Sequence, residues 1–412
     1  MLQKNKNAMY IIGLTVLLIS NICFYTLETM VIFLVLSGVG MLLVFGQTVM
    51  EFKFDFLNDD CFIWLTLIYA MFTVYGVFFL RSGTYNWDFM LFTYVVNLAI
   101  YICFKRLMNE KKWDDIKKCI LMTSLFVVIY ILVVEFDDLI KGGIRIGSSL
   151  SGDVNTVAAC LGILTLFTIL LCCICQEKIL YGLFLVLACL MLLTGSKMSV
   201  IYLAMVCMFI FLQSKRKGVT LFVLGIAALV VLIAIFTIPQ LYEVIGSRIQ
   251  DMVFQLTGLG NGKYSHSTDV RKQMIQEGFV IFLEHPILGG GEKYFGLNTA
   301  TEYADAHCNY AEMLCNFGIF GTVLFYFPVF RNLYICIKER RNHSLVAYFC
   351  IVLLATRLVM DWAQMTYPGI SIHYLPMLVS FAWVSSFIPS KKRRHTKLIE
   401  NIFNTIKNKI YK

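Results

Sequence analysis

Asp305, His307, Asn309 and Glu312 stand together in "ADAHCNYAEMLCNFGIFGTVLFY" (304–326), at the head of a run that soon turns wholly apolar. A neutral imidazole is a general base near neutral pH, and a histidine in the first turn of a helix feels the positive end of the dipole, which favours that neutral form. Three further segments offer cations. "DDLIKGGIRIGSSLSGDVNTVAA" (137–159) holds Arg145, a serine cluster and Asn155; "TGSKMS" (194–199) holds Lys197; "STDVRKQMIQEGFVIFLEHP" (267–286) holds Arg271 and runs into "HPILGGG" (285–291). Cations without an acidic metal cage suit a phosphate or pyrophosphate, which Arg binds bidentately and Lys as a point charge. A neutral base beside such cations is what glycosyl transfer from a lipid pyrophosphate requires. The acceptor hydroxyl loses a proton as it attacks the anomeric carbon, and the cations stabilise the charge that grows on the leaving pyrophosphate. That chemistry calls for neither a metal nor a cofactor.

The elements that must position these groups are membrane helices. Of the 412 residues, 59% are hydrophobic and 15% charged, against roughly 25% charged in soluble domains, and the mean hydropathy is +0.74. Apolar runs long enough for about 20-residue spans fall at 8–25, 30–47, 61–80, 89–104, 119–136, 154–175, 179–194, 197–213, 218–238, 307–330, 344–361 and 370–388. The expected fold is an all-α, polytopic integral membrane protein of about twelve transmembrane helices with one long outer-face loop. Most of the 35 Lys and Arg fall in alternate connections, which places both termini in the cytoplasm. The apolar run after "MLQKNKNAMY" is followed by no small-residue cleavage site and reads as an uncleaved first span.

The chain reads as one membrane domain, 1–412, with two appended features. Residues 239–306 form an outer loop of about 68 residues, long enough to be functional. Within it, 268–285 reads as an amphipathic helix capped by Thr268 or Asp269, with Val270, Met274, Ile281 and Phe282 on its apolar face. Residues 389–412 form a basic cytoplasmic tail. Its "KKRRHTK" follows a spanning helix and suits anionic membrane lipid. No aromatic-interleaved basic module accompanies it, so nucleic acid is not an expected partner. Nearly all of the 14 cysteines lie within spans, where Cys behaves as a small apolar residue. "CCIC" (172–175) lacks a fourth ligand for a metal, and "GLGNG" (258–262) lacks the strand-then-helix setting of a phosphate loop.

On this topology Arg145, Lys197, Arg271 and His307 share the outer side. Taken singly, each has an ordinary role: a water-facing His, a snorkelling Lys, a loop Arg, an Asn that caps a helix, a Pro–Gly helix stop. Arg357 and Asp361, four apart, are expected to pair with each other. Taken in order, the segments resemble the superfamily of bacterial O-antigen ligases and O-antigen or capsule polymerases. Four signatures carry the resemblance: Arg145 through Asn155; "TGSK" (194–197), where the family typically has T-G-S-R; Arg271 followed by "HPILGGG"; and "HCNYAEMLCNFGIFG" (307–321), spaced His307, Asn309, Glu312, Gly318, Gly321.

The resemblance implies a membrane glycosyltransferase whose donor is a glycan on undecaprenyl pyrophosphate. His307 would be the catalytic base and Arg271 and Lys197 pyrophosphate ligands, with Arg145, Asn155, Asn309 and Glu312 completing the glycan and pyrophosphate path. Lys at 197 weakens a bidentate role there. Glu312 lies about 140° around a helix from His307, so it is expected to orient Asn309, Asn316 or a loop, while Gly318 and Gly321 allow close packing on a neighbouring helix. Repeat-unit polymerases are the more numerous branch, so polymerisation of surface-polysaccharide repeats is the leading expectation and transfer to a lipid-A core the runner-up. A flippase is the alternative of another class; it would show matching halves and midplane polar residues, whereas here the polar residues gather at one face. Membrane lipids and other polysaccharide assembly proteins are the further expected partners.

Overall fold

The computed structural model describes residues 7–24, 29–78, 87–142, 144–147, 154–257, 266–299, 305–342, 344–367 and 371–387. The basic tail, "GLGNG" and the serine cluster at 148–151 lie outside them. Among the described residues the chain is all helix. The elements are α1 (Ala8–Cys23), α2 (Met30–Met50), α3 (Asp60–Phe78), α4 (Trp87–Asn109), α5 (Trp113–Val134), α6 (Phe136–Lys141), α7 (Val154–Cys175), α8 (Lys178–Leu193), α9 (Lys197–Gln213), α10 (Lys217–Thr237), α11 (Ser247–Thr257), α12 (His266–Phe282), α13 (Tyr294–Asn298), α14 (Asn309–Glu339), α15 (Ser344–Ala363) and α16 (Ser371–Phe387). A helix stands at every expected span. Eight of the helices are long and apolar enough to cross a membrane, and α1, α8 and α9 are shorter apolar helices.

The helices bury themselves unequally. α7 is buried along nearly its whole length, whereas α10 is the most apolar and the least covered, as expected where lipid is the solvent for one face. Small residues set the closest approaches. A Cβ on Gly13 of α1 would fall 3.1 Å from the carbonyl oxygen of Gly40 of α2, and the Ser20 and Ser37 hydroxyls meet between the same helices at 2.8 Å. Ion pairs fasten one end of the bundle: Lys105 to Asp59 at 2.7 Å, Arg331 to Asp60 at 2.6 Å and Lys117 to Glu177 at 2.5 Å.

The segment expected as a loop is largely helical. α10 gives way to a short turn at Pro239–Leu241 and a π-helical turn at Tyr242–Gly246, then to α11, α12 and α13. α12 begins at His266, ahead of the expected caps Thr268 and Asp269, which therefore lie inside the helix. Its apolar face meets the bundle: Met274 and Ile281 join Tyr294, Phe295, Ala306, Cys308, Ala311 and Cys315 in a small core of their own, with Val270 and Phe282 packed against it.

Candidate active site

α14 is broken, and the break organises the site. Gly318 has φ 62° and ψ −167° in the middle of the helix, a region open essentially to glycine alone. In an unbroken helix the carbonyls of Cys315 and Asn316 would accept from the N–H groups of residues 319 and 320. Here the "HPILGGG" loop inserts between them. Ile319 and Phe320 donate to the carbonyls of Pro286 and Ile287 (2.9 and 3.1 Å), while Gly290 and Gly291 donate to those of Cys315 and Asn316 (2.9 Å each). Four hydrogen bonds replace two, so the carbonyls of Cys315 and Asn316 and the N–H groups of Ile319 and Phe320 all keep partners across the break. The approach requires glycine on both sides. A Cβ at Gly318 would lie 2.4 Å from the Ile287 oxygen, and one at Gly289 (φ +76°) 2.5 Å from the Asn316 carbonyl. Gly318 was expected to pack against a helix and instead receives a loop; Gly321 does approach a helix, at Met71 of α3.

The first half of α14 hangs from this splice. Asn316 accepts from the Phe295 N–H at 3.1 Å and donates to Glu312 (2.9 Å) and to the Tyr367 hydroxyl (3.0 Å). Glu312 in turn accepts from the Ala306 N–H at 2.8 Å. Its carboxylate thus ties the splice to the loop that presents His307. Asn309 is fully buried. Its oxygen accepts from the N–H groups of Thr366 and Tyr367 (2.9 and 2.8 Å), and its amide donates to the Tyr326 hydroxyl at 2.7 Å. Tyr326 donates to Asp361 at 2.9 Å, and Asp361 pairs with Arg357 at 2.9 Å. Arg357 also donates to Thr366, at 2.6 Å. This network fixes the loop after α15 against the start of α14. Asn309 and Glu312 therefore face the protein interior and hold the frame of the site.

His307 is not in the first helical turn. Cys308 is the N-cap, and His307 precedes it with φ 46°. What holds it is Asp305. One carboxylate oxygen of Asp305 accepts from both the His307 backbone N–H and its Nδ1, each at 2.8 Å. Burial pushes the Asp305 carboxyl up, but the hydrogen bonds and charge of His307, with a contribution from the Arg271 charge, outweigh it and hold the group below the usual carboxylate range. Asp305 is thus an ionised acceptor that orients the ring, and it stands in the field of Arg271 on the exposed side of α12. Its neighbour in sequence was the clue to this: a carboxylate two residues before a histidine can turn back on it. Reading the segment as helix from its first residues hid that geometry.

The other two signatures meet each other. Arg145 donates from Nε to the Thr194 carbonyl at 2.9 Å, and the Ser196 hydroxyl donates to Asn155 at 2.7 Å. Ser196 also caps α9 through the Met198 N–H. Gly195 (φ +60°) is pressed against Val244 and the Arg145 side chain. Arg145 and Asn155 therefore shape the turn that starts α9 at Lys197. Tyr202 of α9 lies in the field of Arg357 and Asp361, which brings the α9 turn to the same end of the bundle as the start of α14. The structure thus gathers Arg145, Asn155 and Lys197 at the α9 turn, and Arg271 and His307 beside Asp305, a residue outside the expected set, with Asn309 and Glu312 in the frame beneath; α15 packs against both α9 and α14.

No curated protein matches the chain. The family model described as O-Antigen ligase matches residues 182–326. That stretch runs from α8 into α14 and contains the "TGSK" turn, Arg271, the "HPILGGG" splice and the Asp305–His307 pair; Arg145 and Asn155 precede it. Over residues 182–326 this multi-pass membrane protein is similar to the O-antigen ligase family.

Proposed function

We propose that the protein is a metal-independent glycosyltransferase of the cytoplasmic membrane. It would polymerise surface-polysaccharide repeat units at the outer face from an undecaprenyl-pyrophosphate-linked oligosaccharide, with both termini cytoplasmic. The observation that carries this reading is the Asp305–His307 pair in the field of Arg271. With Nδ1 turned to Asp305, Nε2 is the ring nitrogen that takes the proton. The acceptor hydroxyl gives that proton to His307 as its oxygen bonds to the anomeric carbon. The bond from that carbon to phosphate breaks, and the electron pair leaves with the pyrophosphate. Arg271, Lys197 and Arg145 stabilise the charge that develops there. Asn155 shapes the α9 turn, and Asn309 and Glu312 hold the loop that carries the base.

The description of the matched family favours a second reading, transfer of the finished glycan to a lipid-A core. Purified protein given lipid-linked repeat units, with and without a lipid-A core acceptor, separates the two. Polymerisation yields a ladder without the acceptor. Ligation yields one product that requires it, and neither product would contradict glycosyl transfer altogether.

Asp305→Asn keeps the size of the side chain and removes its charge. Turnover is expected to fall roughly 10²-fold, within the range of about 10²–10⁴ that a positioned base supplies, with the apparent KM for the lipid-linked unit little changed. Initial rates of product formation check it.

A further inference from the structure

A groove of about 800 Å³ opens between α3 and α14, within the range of roughly 300–1,000 Å³ typical of ligand sites. Its walls are almost wholly apolar, lined by Ile63 and Leu67 of α3 and by Val323 and Phe327 of α14, and it ends at the Asp60–Arg331 ion pair. Its other end is bounded by Ile287 of the splice loop together with Ile319 and Phe320 just beyond the break.

α12 connects this mouth to the cations. It runs alongside the first half of α14 in register. The Arg271 charge reaches Asp305; Gly278 meets Ala311 and accepts from the Cys315 thiol at 2.8 Å; and Pro286 and Ile287 meet Ile319 and Phe320. The exposed surface changes character along the way. Arg271, Lys272 and Gln273 are exposed at the start, and Phe279, Val280 and Leu283 towards the end, followed by Ile287, which is 70% exposed. From Asn309 to Gly318 the helix rises about 13 Å. A molecule with an anionic head at Arg271 and a long apolar tail would meet cations first, then an apolar strip, then the groove.

We infer that the α3–α14 groove receives the polyprenyl tail of the lipid-linked substrate, entering over Ile287. This rests on the proposed lipid-pyrophosphate donor. It adds a tail site that selects an isoprenoid chain over the acyl chains of the bilayer.

The test uses the full chain in nanodiscs of phosphatidylethanolamine and phosphatidylglycerol, with a polyprenyl pyrophosphate that carries a diazirine near the end of its tail. Irradiation should label the groove walls around Leu67 and residues 319–331. An excess of unlabelled polyprenyl pyrophosphate should displace the label, and added phosphatidylglycerol should not. Val323→Trp, and separately Leu67→Trp on the opposite wall, should each lower labelling about tenfold, a binding loss of about 1.4 kcal/mol. Leu229→Trp on the lipid-facing side of α10 should leave it unchanged. Both groove positions are exposed, so the larger side chains leave the core intact. Label outside the groove, no label, or label displaced equally by phospholipid overturns the inference; in the last case the groove holds bilayer acyl chains only. Labelling does not depend on turnover. Groove label without any glycan product would sink the proposed reaction and leave the tail site standing, and product without groove label would do the reverse.

Discussion

His307→Ala is expected to lower glycosyl transfer by about 10²–10⁴-fold, the share of a rate that a positioned general base supplies. The protein should remain folded, because the His307 side chain is 42% exposed and the core beneath it is built by α12, α13 and the first half of α14. The loss should appear in kcat with the KM for the lipid-linked unit nearly unchanged. On this account the imidazole acts on the acceptor proton only in the transition state, while the pyrophosphate is already held by the cations in the ground state, so removing the imidazole leaves substrate binding in place. Initial rates from purified wild-type and mutant protein at equal folded concentration make the comparison. A rise in KM at constant kcat would recast His307 as a binding residue.

Gly318→Ala should have the largest effect on folding. Alanine at φ 62°, ψ −167° is strained by about 1–3 kcal/mol. Its Cβ would also displace the Ile287 carbonyl, 2.4 Å away. Expelling the loop exposes or orphans the four splice hydrogen bonds, each of which costs roughly 1–3 kcal/mol if its groups stay buried and unpaired. The expected outcome is a protein of low folded yield, or one whose thermal midpoint falls well below wild type in detergent. Gly225→Ala in α10 is the contrast. Nothing lies within 4 Å of a Cβ there, so it should be neutral or stabilising by up to about 1 kcal/mol. If both variants melted alike, the splice would not be the element that holds α14 in its broken form.

The membrane helices were readable because each is an apolar run between polar turns, and burial in lipid writes that pattern directly into composition. The four polar signatures were also readable as residue types in order. Their connections were not. "HPILGGG" and "NFGIFG" look like a helix stop and a helix-packing pair when read along the chain, yet they are the two sides of one backbone splice. Hydrogen bonds between main-chain groups leave no side-chain pattern beyond the glycines that permit the approach. Asn309 looks like a polar residue at a membrane surface, and its burial depends on Thr366 and Tyr367, far away in sequence. Asp305 is not legible as the partner of His307 because the expected span begins at 307 and leaves Asp305 outside it, whereas the left-handed φ of His307 turns its ring back onto the carboxylate. The pairing of Arg357 with Asp361 was legible, since residues four apart on a helix are neighbours; their tie to Asn309 through Tyr326 was not.

The measurement that tests the central claim most directly is a double-mutant cycle on the transfer rate, with Asp305→Asn, His307→Ala and the two combined. If Asp305 acts by holding the His307 ring, its charge is of no use once the ring is gone, and the double variant will be no slower than His307→Ala alone. If the two losses multiply instead, Asp305 and His307 act independently, and the pair is not the catalytic unit described here.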